Sequence, residues 1–272
     1  GPWATAGQGA MTDLSTRAGF SRLVAALAPW LDRVVVIGGW AHRLYRLHPH
    51  AQAVQYEPLT TLDADVAIPA ELPTTTEDIR QRLLVQGFTE ERLGGDQPPV
   101  THYRLGDEVS GFYAEFLSPL LGGGYDPKSR RKATARIAGV NSQRLRHIEI
   151  LLVDPWAIEF DLIDVAEERK TVQIANPASY LAQKILIHSK RSREKRAKDI
   201  LYIHDTLGVF GGRLEALHGE WESRIAPALH PNHVKVVLGA SDQVFGRITD
   251  AIRDAAIVAA DRGLTPESVR ET

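Results

Sequence analysis

Apolar and polar positions alternate along this chain in two different rhythms. In residues 14–30 (LSTRAGFSRLVAALAPW), Leu14, Phe20, Leu23, Val24 and Leu27 recur at helical spacing, and Pro29 marks the end of the helix they predict. Residues 33–37 (RVVVI) form an unbroken β-branched run, the signature of a strand buried on both faces. Gly38 and Gly39 break that run, and a short helix over 40–47 is expected, closed by His48-Pro49. Residues 62–68 (LDADVAI) read as the next strand, stopped by Pro69, and Thr74 to Thr76 as caps for a helix over 77–86.

A polar turn with Gly94, Gly95, Pro98 and Pro99 precedes two more strands at 101–105 and 112–117, joined as a hairpin between Gly106 and Gly111. Residues 121–132 (LGGGYDPKSRRK) read as a glycine-rich, then basic, loop; 145–152, 157–163 and 171–174 read as strands. From Pro177 the rhythm changes. Asn176 is a natural N-cap with Pro177 in the first turn, and helical patterns follow at 177–190, 194–207, 213–226, 232–246 and 247–261. Only VKVVL at 234–238 fits strand and helix equally. The expected organisation is an α/β part, 11–175, followed by an all-helical part, 176–272.

Composition narrows the function classes. The 272 residues are 43% hydrophobic and 24% charged, ordinary for a folded globular chain. No apolar run is long enough to cross a bilayer. A net charge of −2 argues against generic polyanion binding, so any nucleic-acid contact must come from a local basic patch. With no cysteine there is no disulfide framework, thiolate metal site or cysteine nucleophile, which is compatible with a cytoplasmic location. Residues 1–10 read as a cloning remnant ahead of Met11, the only methionine, and no secretion signal follows it.

The candidate chemistry starts with carboxylates. Asp63 and Asp65 stand two apart on a strand, so both leave one face, about 7 Å apart along the chain. Their repulsion would be relieved by a hard cation such as Mg²⁺ or Mn²⁺, although an isolated DxD is more commonly a solvated strand face. A two-cation site needs a third acid. Glu115, alone in the apolar stretch FYAEFL, is one choice; Glu159 and Asp161 in IEFDL compete for the role. A strand entering Gly-Gly and then a helix lets backbone N–H groups approach a phosphate, but it is also what any tight strand-to-helix turn requires. The lysine of a Walker loop and the G-x-G-x-x-G pattern are absent.

The combination of IGGWAHRLYR, TTLDADVAI and AEFLSP resembles the hGGxA helix start, T-x-D-h-D strand and third-acid strand of the DNA polymerase β-type nucleotidyltransferase superfamily. Glu115 stands where many members have Asp. Further on, NPASYLAQKILIHSKRSREKRAKDILYIHD is similar to the P-x-x-Y-x-x-x-K-L and R-x-x-KD helices of the AbiEii- and MenT-type toxin nucleotidyltransferases. The resemblance implies an α+β fold, with a polymerase β-like domain built on a small mixed sheet followed by a helical domain. It implies an NTP substrate, Mg²⁺ or Mn²⁺ on Asp63, Asp65 and Glu115, and triphosphate binding by Gly38 and Gly39. Lys184 and the Lys198-Asp199 pair join the active site on the same ground. A tRNA or other RNA acceptor and an antitoxin partner are further implications.

Seven cations fall between 184 and 199: Lys184, Lys190, Arg191, Arg193, Lys195, Arg196 and Lys198. They read either as a solvated helix face or, beside a nucleotide site, as an RNA backbone contact. Asp199 could orient Lys184, bind a base or pair locally. Lys128, Arg130, Arg131 and Lys132 form a second basic segment, which fits a phosphate grip or a surface loop. His48, His50, His147, His188 and His204 lack metal-ligand spacing, so no zinc site is expected; Trp156, Tyr180 and Tyr202 are expected to fill core. Nucleotidyl transfer to a protein side chain or small molecule, and a non-catalytic nucleotide-binding module, remain open beside an RNA-directed enzyme.

Overall fold

Helix α1 (Ala4–Ala26) turns Phe20, Leu23 and Val24 into the core, and Pro29 sits in the 3-10 turn Ala28–Trp30 that ends the segment. The computed structural model describes residues 4–74, 76–95, 98–106, 111–121, 133–163 and 168–272, with backbone alone for 4–14. The basic segment of Lys128, Arg130, Arg131 and Lys132 lies outside the described residues.

Strand β1 (Val35–Ile37) is buried throughout and passes directly into α2 (Gly38–Leu44), followed by a 3-10 turn at Tyr45–Leu47. Strand β2 is Asp63–Ala67. Helix α3 (Ile79–Val85) is capped by Asp78 rather than by the preceding threonines: Asp78 accepts from the Gln81 N–H, and Gln81 returns the bond to the Asp78 N–H. Next come β3 (Thr89–Leu93), β4 (Val100–Leu105), β5 (Phe112–Pro119), β6 (Thr134–Ile137) and β7 (Val140–Leu145). Helix α4 (Ile148–Leu151) leads to β8 (Trp156–Asp161) and β9 (Arg169–Ile174).

Three of these elements depart from expectation. TEERL carries too much charge to look like a strand, yet it pairs with β4 as β3, where Glu90 meets Arg80 and Glu91 meets Arg104. The β6–β7 hairpin occupies a stretch with no expected element. The strand expected over 145–152 is split: the chain turns at His147, in left-handed conformation (φ 67°), and IEIL becomes α4. A short apolar run does not by itself distinguish a buried strand from a buried helical turn.

The described strands form one mixed sheet in the order β3-β4-β5-β2-β1-β9-β8. Strand β5 runs parallel to β2 along one edge; its other edge pairs first with antiparallel β4, then with parallel β7. The sheet is therefore mixed, as expected, but with nine strands it is not small.

From Pro177 on, all regular structure is helical: α5 (Pro177–His188), α6 (Arg193–Val209), α7 (Leu214–Glu220) continued by a π turn at Trp221–Ile225, α8 (Pro231–Phe245), α9 (Asp250–Val258) and α10 (Pro266–Glu271). Asn176 caps α5 by accepting from the Ala178 N–H at 2.9 Å, and VKVVL is helical within α8. The main core does not stop at residue 175. Tyr180, Tyr202, Val209, Phe210 and Leu217 pack into the same cluster as Trp40, Val66 and Phe116. This brings the faces of α5 and α6 against the sheet.

Candidate active site

Parallel pairing of β2 with β5 sets Asp65 beside Glu115 and Asp63 beside Tyr113. Paired residues of neighbouring strands share a face, so Asp63, Asp65, Glu115 and Tyr113 project together while Ala64 and Val66 face the core. Of the three candidates for a third acid, Glu115 is the one that stands beside Asp65. Glu159 and Asp161 stand on β8 at the far edge, bonded to Thr171 and Arg169.

Burial pushes the Asp65 carboxyl up to about 8, and the charges of Asp63 and Glu115 add to that shift. Glu115 is likewise raised by burial and by Asp63, against the opposing influence of His102. Thr61 Oγ1 donates to an Asp63 carboxylate oxygen. Among the described residues, neither Asp63 nor Asp65 has a Lys or Arg within ion-pair distance. Three mutually repelling carboxylates form an all-oxygen donor set that fits a hard divalent cation.

The glycines form the next wall. Antiparallel pairing of β1 with β2 sets Ile37 opposite Asp65, and Gly38 follows at once in left-handed conformation (φ 63°). A Cβ on Gly38 would collide with the Asp65 carboxylate. On Gly39 it would lie 2.8 Å from Thr61 Cγ2 and 2.9 Å from the Tyr202 hydroxyl. Both positions therefore require glycine for close approach to the carboxylate strand and to α6.

Helices α5 and α6 close the opposite side. Lys184 Nζ donates to Asp199 Oδ1 at 2.8 Å, and Arg191 Nε donates to Asp199 Oδ2 at 3.0 Å. Lys184 and Asp199 are buried, and Lys184 Nζ lies 5.3 Å and 5.0 Å from the ring centroids of Tyr180 and Tyr202. Asp199 is thus the ion-pair partner of two cations. Between the walls lies a cleft of about 420 Å³, lined by Gly38, Gly39, the three acids and Lys184 among others. A cavity of about 260 Å³ adjoins it, sharing Gly38, Asp65, Lys184 and Arg191.

The fold divides the basic cluster. Arg191, Lys195 and Lys198 line the cleft with Lys184, and Lys190 lines the adjoining cavity. Arg193 turns away to Asp254 on α9, at 2.6 Å and 2.9 Å. Arg196 donates to the backbone carbonyls of Arg191 and Ser189.

One site residue escaped the sequence reading. His102, on β4, places Nε2 2.6 Å from Glu115 Oε1 and stacks on Tyr113 with ring centroids 4.7 Å apart. Its only sequence signal was its place in the strand THYRL, whose register with β5 no local pattern fixes.

A family model described as nucleotidyltransferase matches residues 16–226, a span that includes every wall of this cleft. The chain belongs to this nucleotidyltransferase family. Its mixed sheet flanked by helices is accordingly a nucleotidyltransferase-like fold. No curated protein matches the chain. Among solved structures, an antigenic nucleotidyltransferase-like protein from Paracoccidioides brasiliensis is 15% identical, with 82% of this chain and 94% of that one covered and a TM-score of 0.35. The family match ends before α8, and no described helix of this nucleotidyltransferase is long and apolar enough to cross a membrane.

Proposed function

We propose that this nucleotidyltransferase is a metal-dependent enzyme that moves a nucleoside monophosphate from an NTP to an acceptor hydroxyl, with the 3′ end of a tRNA as the favoured acceptor. The observation that carries the reading is the convergence of Asp63, Asp65 and Glu115 on one sheet face, across a cleft from Lys184 and Arg191. Asp63, Asp65 and Glu115 would hold Mg²⁺ or Mn²⁺, which when bound supplies positive charge to the phosphates. The glycine turn leaves room for a triphosphate at the start of α2, and Lys184 and Arg191 offset its charge from the other wall. The acceptor oxygen bonds to the α-phosphorus as the bond to the bridging oxygen breaks and pyrophosphate leaves. As the alternative to completing the metal site, Glu115, whose carboxyl is raised by burial and which has His102 at Oε1, would take the acceptor proton.

The RNA acceptor is supported by Arg191, Lys195 and Lys198 at the cleft, cations suited to a phosphodiester backbone. Kinship with toxin nucleotidyltransferases, and hence an antitoxin partner, rests on the motif similarity around Lys184 and Asp199. The test supplies each α-phosphate-labelled NTP with Mg²⁺ and tRNA, a protein fraction, or neither. Label on tRNA is expected; label on protein alone would remove the tRNA reading. Asp63→Ala and Asp65→Ala should each abolish labelling, and unchanged labelling would overturn the carboxylate mechanism.

A further inference from the structure

A second group of metal-ligating side chains shares no residue with the candidate carboxylate site. His147 stands at the corner after β7, Glu149 in the first turn of α4, and His233 in the first turn of α8. One ligand atom from each lies within 4.8 Å of the other two, and the two imidazole centroids are 4.9 Å apart. His147 and His233, 86 positions apart, are thereby gathered at one point, which no local spacing announces. His147 is only 9% exposed, and its Nδ1 has no hydrogen-bond partner among the described residues; nor does the buried Oε2 of Glu149. A buried polar atom without a partner is destabilising unless something ligates it.

We propose that His147, Glu149 and His233 bind a zinc ion. Two imidazoles and one carboxylate form a borderline donor set that suits Zn²⁺ and not Mg²⁺, which prefers oxygen alone. Three protein ligands leave a fourth position for water. Ligands about 2.0–2.2 Å from a tetrahedral ion stand closer together than the present spread, so binding would draw the three side chains inward. The ion would tie α8, beyond the family match, to α4 and through β7 to the catalytic strand β5. It would also sit beside the 260 Å³ cavity, which His147 lines. The proposal stands independently of nucleotidyl transfer.

The test uses the full chain without an affinity tag, stripped with EDTA and titrated calorimetrically with Zn²⁺ under excess Mg²⁺. Thermal unfolding is followed in parallel. Uptake of one Zn²⁺ per chain is expected, with a rise in the unfolding midpoint. His233→Ala and Glu149→Gln should each lose both effects, while the double variant Asp63→Asn/Asp65→Asn should keep them. Should His233→Ala prove misfolded by circular dichroism, the milder Glu149→Gln gives the reading. No uptake by the wild type under excess Mg²⁺, or equal uptake by Glu149→Gln, would overturn the proposal, as would loss of uptake only in the aspartate double variant.

Discussion

Replacing Gly38 by alanine tests the link between the glycine turn and the carboxylates most directly. Two penalties act there. The left-handed backbone (φ 63°) costs a residue with a Cβ about 1–2 kcal/mol. The new methyl also meets the Asp65 carboxylate, so either α2 or Asp65 must move, a clash worth about 1–3 kcal/mol more. Gly263 supplies the control, since its φ is 66° and nothing lies within 4 Å of a Cβ built on it. Gly263→Ala should therefore show the backbone cost alone. Urea unfolding of both variants is expected to place Gly38→Ala below Gly263→Ala by the clash energy. Turnover should separate them further, because displacement of a reacting group by about 1 Å can cost ~100-fold in rate. Equal stability losses together with full activity in Gly38→Ala would refute the close approach of Gly38 to Asp65.

Other perturbations follow from the same geometry. Asp199→Asn strips the carboxylate from buried Lys184 and from Arg191 and should cost about 3–5 kcal/mol, whereas Lys184→Met should cost less because Arg191 still pairs with Asp199; denaturant melts rank the two. Burial lowers His42 to about 3 from an unfolded value near 6.5, so the unfolded chain binds the extra proton between those limits. Stability should therefore fall as pH drops from 6.5 toward 3, by at most about 5 kcal/mol, and His42→Leu should flatten that slope in pH-dependent urea melts. His102→Ala, which removes a positioning contact to Glu115, should lower kcat roughly 10–100-fold. Because His102 works to lower the Glu115 carboxyl, the acidic limb of the pH–rate profile should move to higher pH in that variant.

The sequence alone was enough for the parts whose physics is local. The β-branched run ending in Gly38-Gly39, the i, i+2 aspartates on β2, and the Asn176-Pro177 start of α5 all depend on neighbours within a few positions. Their periodicity or capping chemistry is written in the residues themselves. Glu115 stood out because one acid in an apolar strand is conspicuous, but Glu159 and Asp161 looked comparable until sheet order set β5 beside β2 and β8 at the far edge.

Tertiary structure decided everything that depends on register and on which helix face meets the sheet. Strand β3 forms because its charges find partners on β4 and α3, a gain invisible in TEERL itself. The seven cations look alike in sequence, yet packing of α5 and α6 over the sheet sends Lys184, Arg191, Lys195 and Lys198 to the cleft and Arg193 to α9. His102 reaches Glu115 only through pairing of β4 with β5, and His147 meets His233 only because α8 folds back beside α4. Contacts between residues far apart in the chain are set by the lowest free energy of the whole packed molecule, and no short window of sequence contains that information.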